Sequence, residues 1–290
     1  MSKFIIHIGA PRTGTTVLQK HIFPQLKTTL GLTKRPYQPS VGNQQKAEYQ
    51  LESKSPHKLT PSEQHDLLEN TIMPGSIHKE EATRQKTANL IRALSENKDT
   101  KRILISSELL CDNPASLNCH SKHHPKLSDK FYIYNLIDVF SKASITPTIA
   151  VCLRDPIPYL ASKYLRTVVQ RESTGERFLS PLEFISKQFA LERSSPGSSA
   201  LAPALHKTFL GQLNSAAKTI AFGFKDLVSS NDVFKLFQLD EPSKLRFSDY
   251  PRENGLRFDS KCKQQACEEI DLALQQTGIK AEITKNQIYN

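Results

Sequence analysis

One short segment constrains this chain more than any other. A β-branched run, Lys3–Ile8 (KFIIHI), ends at Gly9, and Gly9-Ala10-Pro11-Arg12-Thr13-Gly14-Thr15-Thr16 then leads into a helical stretch, Thr16–Leu26. The run reads as a buried strand. Val17, Leu18, His21 and Ile22 are spaced for one helix face, and Pro24 distorts the helix end. Two glycines five apart, followed by hydroxyl residues at a helix start, have the frame of a phosphate-binding loop. Gly14 allows close backbone approach. The N–H groups of Thr15, Thr16 and Val17 then point at an anion on the positive end of the helix. The nucleotide-hydrolase form of this loop carries lysine where Thr15 stands, and that lysine reaches the β- and γ-phosphates. Here the nearby cation is Arg12, inside the loop. The anion site is kept and the triphosphate-reading lysine is gone. The alternative for the segment is a ligand-free strand-to-helix turn.

Further strands are predicted at Lys101–Ser106 (KRILIS), Thr146–Leu153 (TPTIAVCL) and Lys218–Phe224 (KTIAFGF), four in all with the first. Helices are predicted at Lys79–Ser95, Asp129–Lys142, Pro156–Gln170, Pro181–Glu192, Ala200–Ala217, Asp232–Leu239 and Cys262–Thr277. Strands separated by helices argue an α/β fold in three layers, a parallel sheet flanked by helices. Thr28–Ser76 is polar and punctuated by prolines, and reads as loops with a short helix near Ser62–Glu69. Cys111–Leu127 reads as a polar loop. With 290 residues, the chain is expected to form a single domain, 1–290, with substrate-side insertions at 28–76 and 111–127.

Lys+Arg 39 against Asp+Glu 29 leaves +10, which favours anionic partners. The charge is scattered, without a basic run or an alternation of basic and aromatic residues, so it names no nucleic acid. Five cysteines, an odd number in a large chain, do not suggest a disulfide framework and fit a reducing cytoplasm. Cys119, His120, His123 and His124 lack a second ligand pair at zinc spacing and read as a solvated loop, so no metal is expected. No apolar run approaches the ~18–20 residues that span a bilayer. The N-terminus lacks a long apolar region and a cleavage site and reads as mature protein, with a cytoplasmic location.

Pro11-Arg12-Thr13-Gly14-Thr15-Thr16-x-Leu18 resembles the 5′-phosphosulfate loop of sulfotransferases that use 3′-phosphoadenosine 5′-phosphosulfate. Most members have lysine where Arg12 stands. A second family motif is a strand ending in arginine with a serine about eight residues on, and here Arg154-Asp155-Pro156 is followed by Ser162. An arginine at a strand end and a serine one to two helical turns later can converge on one phosphate. Taken singly, Arg154 also reads as a surface ion pair with Asp155 or a neighbour, and Ser162 as an ordinary helix hydroxyl.

The resemblance implies a P-loop NTPase-like fold of the bacterial, soluble type. It implies that Pro11, Arg12, Thr13, Gly14, Thr15, Thr16 and Val17 hold the 5′ side of the cofactor. Arg154 and Ser162 would hold its 3′-phosphate, and adenosine 3′,5′-bisphosphate would be the product. The reaction would be in-line sulfuryl transfer to an acceptor hydroxyl or amine, needing charge stabilisation, alignment and a base. Arg12 would act electrostatically, since a guanidinium does not deprotonate. Glu108, just past the 101–106 strand at the sheet's C-terminal edge, is the candidate base, with His7 and His21 as alternatives. Glu108 also reads as a helix-start carboxylate or a structural ion pair. The family's late segment, which closes over the adenine, is placed at Arg252–Gly255 by position only, where a solvent turn is the alternative. The acceptor, whether glycan, lipid, small molecule or protein, is not read from the sequence, and nucleic acid is not expected. Two rivals are a P-loop kinase with Asp155 as its metal-binding acid, disfavoured by the missing lysine, and a non-catalytic polyanion binder.

Overall fold

The computed structural model describes residues 3–9, 14–26, 29–33, 81–98, 101–106, 110, 132–194, 199, 201–239, 245–250 and 258–286. Strands β1 (Phe4–Gly9), β2 (Thr29–Thr33), β3 (Arg102–Ser106), β4 (Thr148–Leu153) and β5 (Lys218–Gly223) form one parallel five-stranded sheet. Their order is β2-β3-β1-β4-β5, with His7 paired to Ser106 and Gly9 to Cys152. The fold is therefore the α/β parallel sheet flanked by helices that the alternation of elements predicts. One strand more is present than the four predicted. β2 lies at the start of the 28–76 stretch read as loops: Thr-Leu-Gly-Leu-Thr is short, carries a central glycine, and among the described residues pairs on one side only, with β3. The rest of that stretch, the short helix near Ser62–Glu69 included, lies outside the described residues.

Helix α1 (Thr15–Val17) runs into a π turn (Leu18–Ile22) and a 3-10 turn (Phe23–Gln25). Pro24 explains the break. It has no N–H to donate, and its ring would clash with the carbonyl four residues back. The N–H of Phe23 reaches to Leu18 O instead, which is the π pattern. The other helices are α2 (Glu81–Glu96), α3 (Tyr132–Lys142), α4 (Pro156–Thr174), α5 (Pro181–Ser194), α6 (His206–Ala216), α7 (Phe224–Ser229), α8 (Val233–Leu236), α9 (Ser260–Gln276) and α10 (Lys280–Asn286). The predicted single helix over Ala200–Ala217 is interrupted: Pro203 sits in a 3-10 turn, and α6 starts only at His206. None of the described helices is long and apolar enough to cross a membrane.

Period-two alternation sorts the strand residues onto two faces. Phe4, Ile6, Ile8, Ile103, Ile105, Ile149, Val151 and Leu153 point to one face, where residues of α2, α3 and α6 cover them. Ile5, Leu104, Ala150 and Cys152 point to the other, under Leu18, Ile22 and Phe23 and the rings of Phe234 in α8 and Phe237 just after it. A third cluster joins α4, α5, α9 and α10 through Tyr159, Leu160, Ile185, Ile270 and Leu274.

The face of each crossover follows its direction. The β1-to-β2 connection runs towards the β2 edge, and its helix α1 lies on the second face. The later connections run the other way, and α2, α3 and α6 lie on the first. Crossovers of one hand require this. The direction reverses at β1, so the C-terminal end of β1, next to β4, is the switch point where ligands of open α/β sheets bind.

Candidate functional site

β1 delivers the glycine-hydroxyl segment to that edge. Pro11, Arg12 and Thr13 lie outside the described residues. Gly14 stands at the N-cap of α1 with φ 78° and ψ 9°, and its carbonyl accepts from Leu18 N at 3.1 Å. This left-handed conformation favours glycine. Space demands it too: a Cβ there would fall 2.4 Å from Phe247 Cζ and 3.3 Å from Phe224 Cε2. Thr15, Thr16 and Val17 are buried behind it. Thr15 is 1% exposed, and its Oγ1 has no hydrogen-bond partner among the described residues. A buried hydroxyl left unmatched costs about 1–3 kcal/mol. A phosphate or sulfate oxygen at that point would accept from it.

β4 delivers the second cation. Arg154 follows its last residue and is partly buried. Desolvation lowers its pKa, against which Cys267, Asp155 and Cys152 act. Its guanidinium carbon lies 5.8 Å from the centroid of the Phe224 ring, and its carbonyl accepts from His206 Nε2 at 3.0 Å when that nitrogen carries the proton. Asp155, the carboxylate of the kinase alternative, is exposed and pairs with Lys225 of α7 at 3.2 Å. Ser162 is half-buried in the second turn of α4.

Phe224 connects the two halves. The ring that carries Arg154 also walls Gly14, and Phe247 meets it edge-on at 5.9 Å. Gly14 and Arg154, distant in sequence, thus share one aromatic neighbour. The sequence reading missed Phe224 and Phe247. The available signal for Phe224 was its place directly after β5, at the same sheet edge as Gly9 and Arg154. Phe247 left no comparable signal.

Glu108 lies outside the described residues, two positions beyond Ser106, and so does Arg252–Gly255. The residues just before that late segment lie over the helical segment that follows β1: Phe247 covers Gly14, and Tyr250 stacks on His21 of the π turn at 5.4 Å with planes 13° apart. His7, the other alternative base, is fully buried, and desolvation lowers its pKa to about 3. Its Nδ1 lies 2.8 Å from Ser106 Oγ, and the Phe23 and Phe237 rings meet it nearly at right angles.

No family model matches the chain, and no curated protein matches it. Among solved structures it is similar to the crystal structure of a sulfotransferase from Alicyclobacillus acidocaldarius, at 12% identity and a TM-score of 0.43, over 98% of this chain and 96% of that chain.

Proposed function

We propose that this chain is a sulfotransferase, moving a sulfuryl group from 3′-phosphoadenosine 5′-phosphosulfate to an acceptor hydroxyl or amine by in-line transfer. The observation that carries this proposal is the pairing at the switch point. The left-handed Gly14, followed by Thr15 with its buried, unmatched hydroxyl, stands at the same sheet edge as Arg154, and the Phe224 ring lies against both Gly14 and Arg154. A phosphate-loop frame and an arginine at one edge suit a ligand with two anionic ends.

In this scheme residues 11–17 hold the 5′-phosphosulfate, with Thr15 Oγ1 donating to one of its oxygens. Arg154 and Ser162 hold the 3′-phosphate. Glu108 takes the acceptor's proton as the new bond to sulfur forms and the bond from sulfur to the 5′-phosphate oxygen breaks. Arg12 screens the charge gathering on that phosphate and donates no proton. Arg154 is already partly withdrawn from water, so less solvent remains to be displaced when it meets its phosphate.

Thermal shift tests the proposal, because a ligand that binds the native state raises the melting temperature. Adenosine 3′,5′-bisphosphate is expected to stabilise the protein and Mg-ATP is not, and the reverse pattern overturns the proposal. Arg154→Ala is expected to weaken the bisphosphate about tenfold or more while leaving AMP unchanged, the size of one charge-assisted bond. Equal losses for both ligands would remove Arg154 from the 3′-phosphate.

A further inference from the structure

The second face of the sheet holds a buried polar group that the proposed mechanism does not use. Gln19 Nε2 lies 3.1 Å from Ser106 O and 3.1 Å from Ser106 Oγ, and Ser106 Oγ lies 2.8 Å from His7 Nδ1. All three residues are buried. The direction of the Gln19 bonds follows from what each atom can do. A backbone carbonyl only accepts, so the Gln19 amide nitrogen faces Ser106 and its two N–H groups go to O and Oγ. The Ser106 hydroxyl, with a second lone pair and one proton of its own, can donate to His7 Nδ1 or accept from it, according to which ring nitrogen carries the proton. His7 Nε2 has no partner among the described residues, and the ring lies against Phe23 and Phe237.

A leucine or phenylalanine at position 7 would fill this space without an unmatched nitrogen, as Phe4, Ile6 and Ile8 do on the opposite face. Stability alone therefore does not account for the group. Its position does. His7 and Ser106 are cross-strand partners. The anion loop starts at Gly9, two residues past His7, and Glu108 stands two residues past Ser106. Gln19 belongs to the helical segment that starts behind Gly14. The three side chains thus join both ends of the anion loop to the last residue of the strand that leads to Glu108.

We propose that His7, Ser106 and Gln19 form a positioning brace, which ties β1 and the helical segment behind Gly14 to the C-terminal end of β3, the strand whose sequence leads to Glu108, so that the acceptor meets sulfur in line. This rests on the proposed function. The brace touches neither reactant. It acts through Glu108, and misplacing a reacting group by about 1 Å can cost on the order of a hundredfold in rate.

The test uses the full chain, calorimetric binding of adenosine 3′,5′-bisphosphate, and turnover of radiolabelled phosphosulfate with an acceptor that supports wild-type transfer. Each variant is read well below its own melting temperature. Ser106→Ala and Gln19→Met are expected to bind the bisphosphate within about threefold of wild type while turnover falls tenfold or more. Ser106→Thr, which keeps the hydroxyl, is expected to restore most of the turnover. A Ser106→Ala variant with wild-type turnover overturns the brace and leaves the proposed function standing. Binding and turnover that fall together in both variants, or a failed rescue by Ser106→Thr, also overturn it, since those outcomes describe general loosening. A wild-type protein that ignores the bisphosphate defeats the proposed function and the brace with it.

Discussion

The two faces of the sheet share the same strands and are built differently. On the first, β1, β3 and β4 present Phe4, Ile6, Ile8, Ile103, Ile105, Ile149, Val151 and Leu153, a wholly apolar set beneath three helices. On the second, the buried alternate positions are Ile5, His7, Leu104, Ser106, Thr148, Ala150 and Cys152, with His7, Ser106 and Thr148 polar and Ala150 and Cys152 small. Aromatic rings fill the space above the small residues: Phe222, Phe234, Phe237 and Phe247 all belong to that cluster. The first face holds the sheet together. The second gives up part of that packing for polar contacts, and it is the face on which the helix after Gly14 lies. In an α/β sheet whose connections reverse direction at the first strand, the ligand crevice lies outside the C-terminal strand ends at that reversal, where the first helix begins.

The comparison is sharpest where each face is cut. Ile105 is fully buried on the first face. Ile105→Ala is expected to destabilise the protein by about 4 kcal/mol, through lost transfer energy and the cavity left behind. Bisphosphate affinity measured below the lowered melting temperature is expected to be unchanged. Denaturant titration checks the first part, and a loss under about 1 kcal/mol would mean that the face is not the dominant core. Gly14→Ala cuts the second face. The left-handed backbone costs an alanine about 1–2 kcal/mol, and the new Cβ overlaps the Phe247 ring, which adds an overpacking penalty of similar size. About 3 kcal/mol in all is expected, together with loss of bisphosphate binding. Adding Phe247→Leu is expected to recover part of the stability. Strict additivity of the two substitutions would show that the ring is not what the Cβ meets.

The sequence made the sheet legible because its signals are local. Short β-branched runs marked β1, β3, β4 and β5 within a residue or two of their ends. The Gly14-Thr15-Thr16 segment and Arg154 were legible for the same reason: a strand end followed by a helix start is a local pattern. β2 was not, because an edge strand with a central glycine carries a weak period and was embedded in a proline-rich stretch. The walls of the site were not legible either. Phe224 and Phe247 reach Gly14 across 210 and 233 positions of chain, the differences of their numbers from 14, and only the closed fold brings them there. His7 was read as an alternative base. It is buried, but satisfied on one nitrogen only, because the partner on Nδ1 comes from the neighbouring strand and none of the described residues reaches Nε2.

That half-satisfied ring gives the two faces different responses to acid. The first-face strand positions named above carry nothing that titrates. On the second, burial holds the His7 imidazole neutral, with its pKa pushed down from 6.5 to about 3. Below pH 6.5 the unfolded chain takes up this proton, and the folded chain does not until about pH 3. The native state binds fewer protons across that window, so the contribution of His7 to stability is complete above 6.5 and drains away as the pH falls towards 3. At pH 5 the loss is about 2 kcal/mol. His206, whose pKa burial also lowers, acts in the same direction, so wild-type protein alone does not isolate the effect. His7→Met does, since it keeps an apolar side chain of similar reach and removes the proton site. Unfolding of both proteins by denaturant at pH 7 and pH 5 is expected to show wild type losing about 2 kcal/mol more than His7→Met over that interval. Equal losses in the two proteins would mean that His7 takes up its proton as readily in the folded protein as in the unfolded chain, and that the acid sensitivity arises elsewhere.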